Sequence, residues 1–190
     1  MRLDTLRHRA VVDPDTGSRI GTVTDYLIDP STGRVAVLII RPVDADLPAR
    51  VAADRVARVG RDAVMLSRNG GNATATSIAA AVRSEWLDQR HIRGLTVYTD
   101  TGNRLGRVDG AEIDPLTLTI QNYEIAPPAW RRWLSARQHI AAESVAWCGR
   151  DVLVVRTDEV SKLRPVGHED GNYLPVGDGT TKSNKAPPAA

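Results

Sequence analysis

Asp29, Asp114, Glu124, Cys148 and four histidines carry the groups with which this sequence could do acid–base, nucleophilic or metal chemistry. Asp29 and Asp114 each precede a proline, in Asp29-Pro30-Ser31-Thr32 and Asp114-Pro115-Leu116-Thr117. An aspartate there accepts backbone hydrogen bonds two residues on and shapes a turn, so the pair reads as turn chemistry rather than general acid–base chemistry. Cys148 is the only cysteine, which excludes an intrachain disulfide and a multi-cysteine metal cluster. His8, His91, His139 and His168 are scattered, with no second ligand at metal spacing. Gly17-x-x-x-Gly21 lacks the Lys-Ser/Thr of a phosphate loop. No Ser/His/Asp or Cys/His constellation follows from spacing. The expectation is a protein without catalytic residues, metal or cofactor.

A binding surface is better represented. Trp130, Arg131, Arg132, Trp133 and Arg137 put two tryptophans and three arginines into eight residues. These residue types dominate binding hot spots, and arginine stacks on indole rings. Aromatic and basic residues interleaved in this way also suit single-stranded nucleic acid. The alternative is a loop that caps a barrel end with its tryptophans as core. These five residues are nominated as partner contacts.

The elements that must position these groups come from an internal repeat. Residues 15–32 read DTGSRIGTVTDYLIDPST and residues 100–117 read DTGNRLGRVDGAEIDPLT, an offset of 85. A second block, VAADRVARVGRD at 51–62, returns as IAAESVAWCGRD at 140–151, an offset of 89. Two ordered blocks indicate a duplicated unit of about 70 residues, a size that can fold alone. Asp, Pro and Gly at the block ends are turn formers. Between them lie a short strand through Ile20, Val23 and Tyr26-Leu27-Ile28, a β-branched strand at 34–40, a section with Val51, Val56 and Val59, and a strand at 63–66 matched by 152–155. Each unit therefore reads as a small barrel or sandwich.

The two copies differ in instructive places. Cys148 aligns with Val59, so it reads as a buried small apolar residue. Glu124 aligns with Ile39, which turns a carboxylate toward the core or a groove unless a bulge or shifted register returns it to solvent. Leu118 stands where the first copy has Gly33, which implies a different turn and favours the solvent reading. The second copy also carries the Trp/Arg segment, so any specialised role is expected there.

Between the copies, a helix is expected over 77–90, with Ser77 as N-cap and Ile78, Val82, Trp86 and Leu87 on one face. Residues 165–190 are poor in apolar side chains and are expected to be disordered. The expected organisation is a first domain at 1–70, a linker at 71–90, a second domain at 91–164 and the tail.

With 42% hydrophobic residues, no Phe and a net charge of +2, the 190-residue chain has ordinary globular composition. That charge is too small to imply nucleic-acid binding by itself. No apolar run approaches the roughly 20 residues of a membrane span, and the start lacks the apolar stretch of a secretory signal. A cytoplasmic protein is expected.

The pattern G-x-x-[IL]-G-x-V, I-D-P-x-T, an apolar strand, [VI]-A-A-[DE]-x-V and G-R-D before a last strand resembles the PRC-barrel domain, twice, over about 5–68 and 91–164. The resemblance implies a mainly β chain, two small PRC-type β-barrels in tandem joined by a short helical linker, with protein–protein contact as the role and no catalytic residues. The domain also occurs in the photosynthetic reaction-centre H subunit and in ribosome-maturation factors. The segment from Ile92 to Val108 resembles the entry to the ribosome-factor version. Gln89, Arg90 and His91 stand where that version carries an aromatic pair, and neither its RNA-contacting domain nor the H subunit's membrane helix has a counterpart in the sequence. The resemblance thus implies an adaptor for an unidentified protein partner, with self-association as one form of it. An RNA- or ribosome-associated assembly factor is the alternative. An accessory subunit of a photosynthetic membrane complex stands third.

Overall fold

The computed structural model describes residues 1–68, 82–127, 138–160 and 164–165. The first copy forms β1 (Ala10–Asp13), β2 (Ser18–Asp29), β3 (Arg34–Pro42), β4 (Ala49–Ala52), β5 (Val56–Val59) and β6 (Ala63–Leu66). The linker adds β7 (Leu87–Asp88). The second copy forms β8 (Thr96–Thr99), β9 (Arg104–Ile113), β10 (Ile120–Ala126), β11 (Gln138–Ala141), β12 (Val145–Cys148) and β13 (Val152–Val155), followed by β14 (Arg164–Pro165).

The first sheet runs β4-β3-β2-β1-β6-β5, with β7 paired to β2; the second runs β12-β13-β8-β9-β10-β11-β14. Read from the other end, and leaving out β7 and β14, the second order is the first one repeated. In both, the first and last long-range partners are parallel, β1 with β6 and β8 with β13, and the remaining neighbours are antiparallel. The chain is therefore mainly β, two small β units in tandem, and the duplication read from sequence is a duplication of topology.

The repeated glycines explain part of this geometry. A Cβ at Gly21 would overlap the Arg41 carbonyl oxygen, and one at Gly106 would overlap that of Ala126. At both positions the long strand crosses its neighbour too closely for a side chain. The offset is 86 before the first hairpin, since Ala10 matches Thr96, and 85 after it. The first hairpin is one residue longer.

The two sheets meet around a local twofold axis. Arg34 pairs with Thr119, its own counterpart at offset 85. The Val35 N–H donates to the Leu118 carbonyl at 2.9 Å, and the Ile120 N–H donates to the Gly33 carbonyl at 2.8 Å. Exchanging the copies turns one bond into the other. The start of each unit crosses over in the same way. Arg2 bridges Glu112 in the second sheet and the Ile113 N–H donates to the Met1 carbonyl at 2.7 Å, while Asp88 and Leu87 pair with Leu27 and Ile28 in the first. The 3-10 turn Leu3–Leu6 packs on β9, and the short helix α1 (Gln89–Ile92) packs on β2. One continuous apolar core results, holding Leu3, Leu6 and Val35 together with Ile92, Leu118 and Ile120.

Two expectations are corrected. Leu118 does not change the turn: its φ is 58°, against 63° for Gly33. A leucine in this region is strained by roughly 1–2 kcal/mol, and full burial of its side chain in the shared core offsets that. His8 likewise takes φ 70° where the second copy has Gly94. The helix over 77–90 is the second correction. Its described part, from 82 on, is a turn followed by β7, and only Gln89–Ile92 is helical. Pairing of Leu87 and Asp88 with β2 outweighs helix propensity, which is a weak prior. Asp88 then caps α1 by accepting from the His91 N–H at 2.9 Å.

Candidate functional site

Asp29 and Asp114 occupy the turns expected of them. Asp29 Oδ1 accepts from the Ser31 N–H at 2.9 Å and the Ser31 hydroxyl at 2.6 Å. Asp114 Oδ1 accepts from the Leu116 N–H at 2.7 Å. Both carboxylates are engaged with their own loops rather than aimed at a common point.

Glu124 departs from the expectation of a solvent-facing side chain. It keeps the repeat register, pairing with Gly110 as Ile39 pairs with Asp25, and it is only 4% exposed. Arg2, from the crossed-over start of the first unit, brings Nη2 to 3.5 Å from Glu124 Oε2. A Cβ at Gly110 would lie 3.1 Å from the same oxygen, so glycine makes room for the pair. Glu124 therefore ties the two units together.

Cys148 is partly buried against the core. Loss of water pushes its thiol up to about 11, far from a reactive thiolate at neutral pH. His91 Nδ1 lies 2.7 Å from Asp88 Oδ1. His139 Nε2 is buried and has no hydrogen-bond partner among the described residues. Among the described residues no group of three or more His, Cys, Asp or Glu side chains could hold a metal ion. Trp130, Arg131, Arg132, Trp133 and Arg137 lie outside the described residues, as do Ser77, His168 and residues 166–190.

The described surface offers a groove instead. It measures about 1130 Å³ and runs between the turn after β2 and the second unit's β10, β11 and β12. Its walls include Thr32, Ile120, Tyr123, Ala142 and Trp147. Trp147 is 59% exposed. Gly149 leaves the room its ring needs, because a Cβ there would overlap the ring.

The twofold axis gives this groove a counterpart of about 460 Å³ on the first unit, along Val35, Ala36, Val37, Ala52 and Ala53. There the chain supplies its own aromatic. Trp86 lines the counterpart, with its indole nitrogen shut off from solvent. Arg83, three residues earlier, stands over the Trp86 ring at 5.9 Å and lines the larger groove.

Sequence reasoning missed Trp147. The signal was there: it aligns with Arg58 on the second block, between Ala146 and Cys148. A position that carries a charged arginine in the other copy faces outward, and Arg58 and Trp147 are both exposed.

The comparisons with known proteins bear on the first of these units. Residues 1–67 match the PRC-barrel domain family. The PRC-barrel match ends one residue past β6, so it takes in the whole first sheet except β7. No curated protein matches the chain. No described helix is long and apolar enough to cross a membrane.

Proposed function

We propose that this chain is a non-catalytic adaptor that holds a protein partner, with the second unit as the contact surface. The observation that carries this reading is the open groove with an exposed tryptophan on the second unit. Large apolar side chains left in the open at a concavity are the usual mark of a binding site. The PRC-barrel match over residues 1–67 supports an interaction module. The carboxylates that could have served catalysis are engaged in turns and in the Arg2–Glu124 pair. The proposal takes units at 1–70 and 91–164, a cytoplasmic setting, and Trp130, Arg131, Arg132, Trp133 and Arg137 as a second contact region.

Affinity purification with quantitative mass spectrometry tests the reading. Wild type is compared with Trp147→Ala and with a variant carrying alanine at 130, 131, 132 and 133, each checked for folding by circular dichroism. The adaptor reading predicts a protein recovered by wild type and depleted by at least one variant. Equal recovery by all three would show that both surfaces are wrong. Substrate turnover abolished by substituting Asp29, Asp114 or Glu124 would overturn the non-catalytic part.

A further inference from the structure

The two grooves are counterparts about the local twofold axis, and they are not in the same state. The first is covered by the chain's own Trp86; the second, more than twice as large, has Trp147 exposed at its edge. The first groove thus shows what its positions can seat: an indole delivered by a non-helical segment that runs from 82 into β7, with an arginine over the ring. Val35, Ala52 and Ala53 of that groove correspond to the apolar Ile120, Ala141 and Ala142, while Ala36 and Val37 become the polar Gln121 and Asn122. Among the described residues, the second groove's charged lining is Asp29, Glu85 and Glu143 against Arg83, an excess of carboxylates. The Arg150 guanidinium donates to the Ser84 carbonyl at 3.1 Å, so this stretch of linker is tied to the second unit beside the groove.

We propose that the groove of the second unit binds an extended segment of a partner protein that presents a tryptophan with arginine or lysine beside it. The partner's indole would take the place that Trp86 takes on the first unit, against Ile120 and Ala142, the counterparts of Val35 and Ala53, with Trp147 at the groove's edge. Its basic side chain would face Glu85 and Glu143. An extended chain with one aromatic anchor suits a groove bounded by strands, because the anchor supplies most of the affinity. This inference rests on the adaptor reading and names its ligand.

The test uses the whole chain and three fluorescein-labelled heptapeptides. One has the sequence of residues 82–88, VRSEWLD. The second replaces its Trp by Ala, and the third replaces its Glu by Arg. Fluorescence anisotropy should show saturable binding of the first, binding at least tenfold weaker for the second and several-fold tighter for the third. Ala146→Arg, which fills the second groove from an exposed position, should abolish binding. Ala52→Arg, in the first groove, should leave it unchanged. The proposal is overturned if none of the peptides binds at millimolar concentration, if the Trp-to-Ala peptide binds equally well, or if Ala146→Arg has no effect. It is also overturned if sedimentation shows a dimer that Ala146→Arg dissociates, since a second copy would then be the occupant. Partner recovery that depends on residues 130–133 but not on Ala146 would remove this site and leave the adaptor reading standing.

Discussion

Arg34 and Thr119 face each other across the junction of the two sheets, and each is the other's counterpart in the repeat. The duplicated units therefore meet through the same surface on both sides, as two identical subunits do about a twofold axis. Each unit also gives its starting segment to the other, with Arg2 beside Glu112 and Leu87 beside Ile28. Stability of one unit should thus depend on the other.

Leu118 tests the junction. It is 1% exposed and holds φ 58°. Leu118→Ala should cost about 2–5 kcal/mol by loss of buried apolar volume. Leu118→Gly removes slightly more side chain, yet it relieves the backbone by about 1 kcal/mol. Urea unfolding should therefore rank the glycine variant equal to or above the alanine variant, the reverse of what side-chain size alone predicts.

The Arg2–Glu124 pair joins the units through charge. Arg2→Ala would leave a buried carboxylate without its partner and should cost about 1–3 kcal/mol, less than a fully buried pair because Arg2 is half exposed. Glu124→Ile copies Ile39 and removes the need for the cation. The double variant Arg2→Ala/Glu124→Ile should recover most of the loss in chemical denaturation. A double variant as unstable as the sum of the two single ones would contradict the coupling.

Asp88 gives the linker a pH dependence. Loss of water alone would raise its carboxyl, but hydrogen bonds from the His91 backbone and ring outweigh this and hold it below the ordinary carboxylate value. A depressed folded value means the cap's contribution is present above the unfolded value and is lost as pH falls through the folded one. Thermal unfolding should show the difference between Asp88→Asn and wild type beginning to shrink as pH falls past about 4 and disappearing at lower pH. At pH 7 the carboxamide should cost up to about 1 kcal/mol.

Cys148 should be a poor nucleophile. With its thiol pushed up to about 11, alkylation by iodoacetamide at pH 7.5 should be at least tenfold slower than that of a free thiol. Unfolding in urea should restore the ordinary rate. Fast alkylation of the folded chain would mean that the thiol is not shielded as described.

Much of the fold was legible because turns constrain residue type. Gly21 and Gly106 recur since no side chain fits beside the next strand, and Asp29 and Asp114 recur since each organises its own turn. The second hairpin turn was misread at Leu118 because its backbone conformation is held by burial in the other unit, which no local pattern reports. The linker was misread for a related reason. Ile78, Val82 and Trp86 have helical spacing, but the first groove holds Trp86 and the sheet edge holds Leu87 more strongly than a short helix would stabilise them. Glu124 looked misplaced only while Arg2, 122 residues away, was not known to be beside it. The site was the least legible part: the outward position of Trp147 is readable from its alignment with Arg58, but the groove beside it is built from the turn after β2 and from β10, β11 and β12, which only the fold brings together.

Hydrogen exchange on the chain with and without its purified partner locates the contact surface. An adaptor that binds through the second unit gains amide protection within 117–123 and 141–148, the walls of the open groove, with no change at 35–37. Protection confined to the first unit, or none in either groove, would contradict this placement.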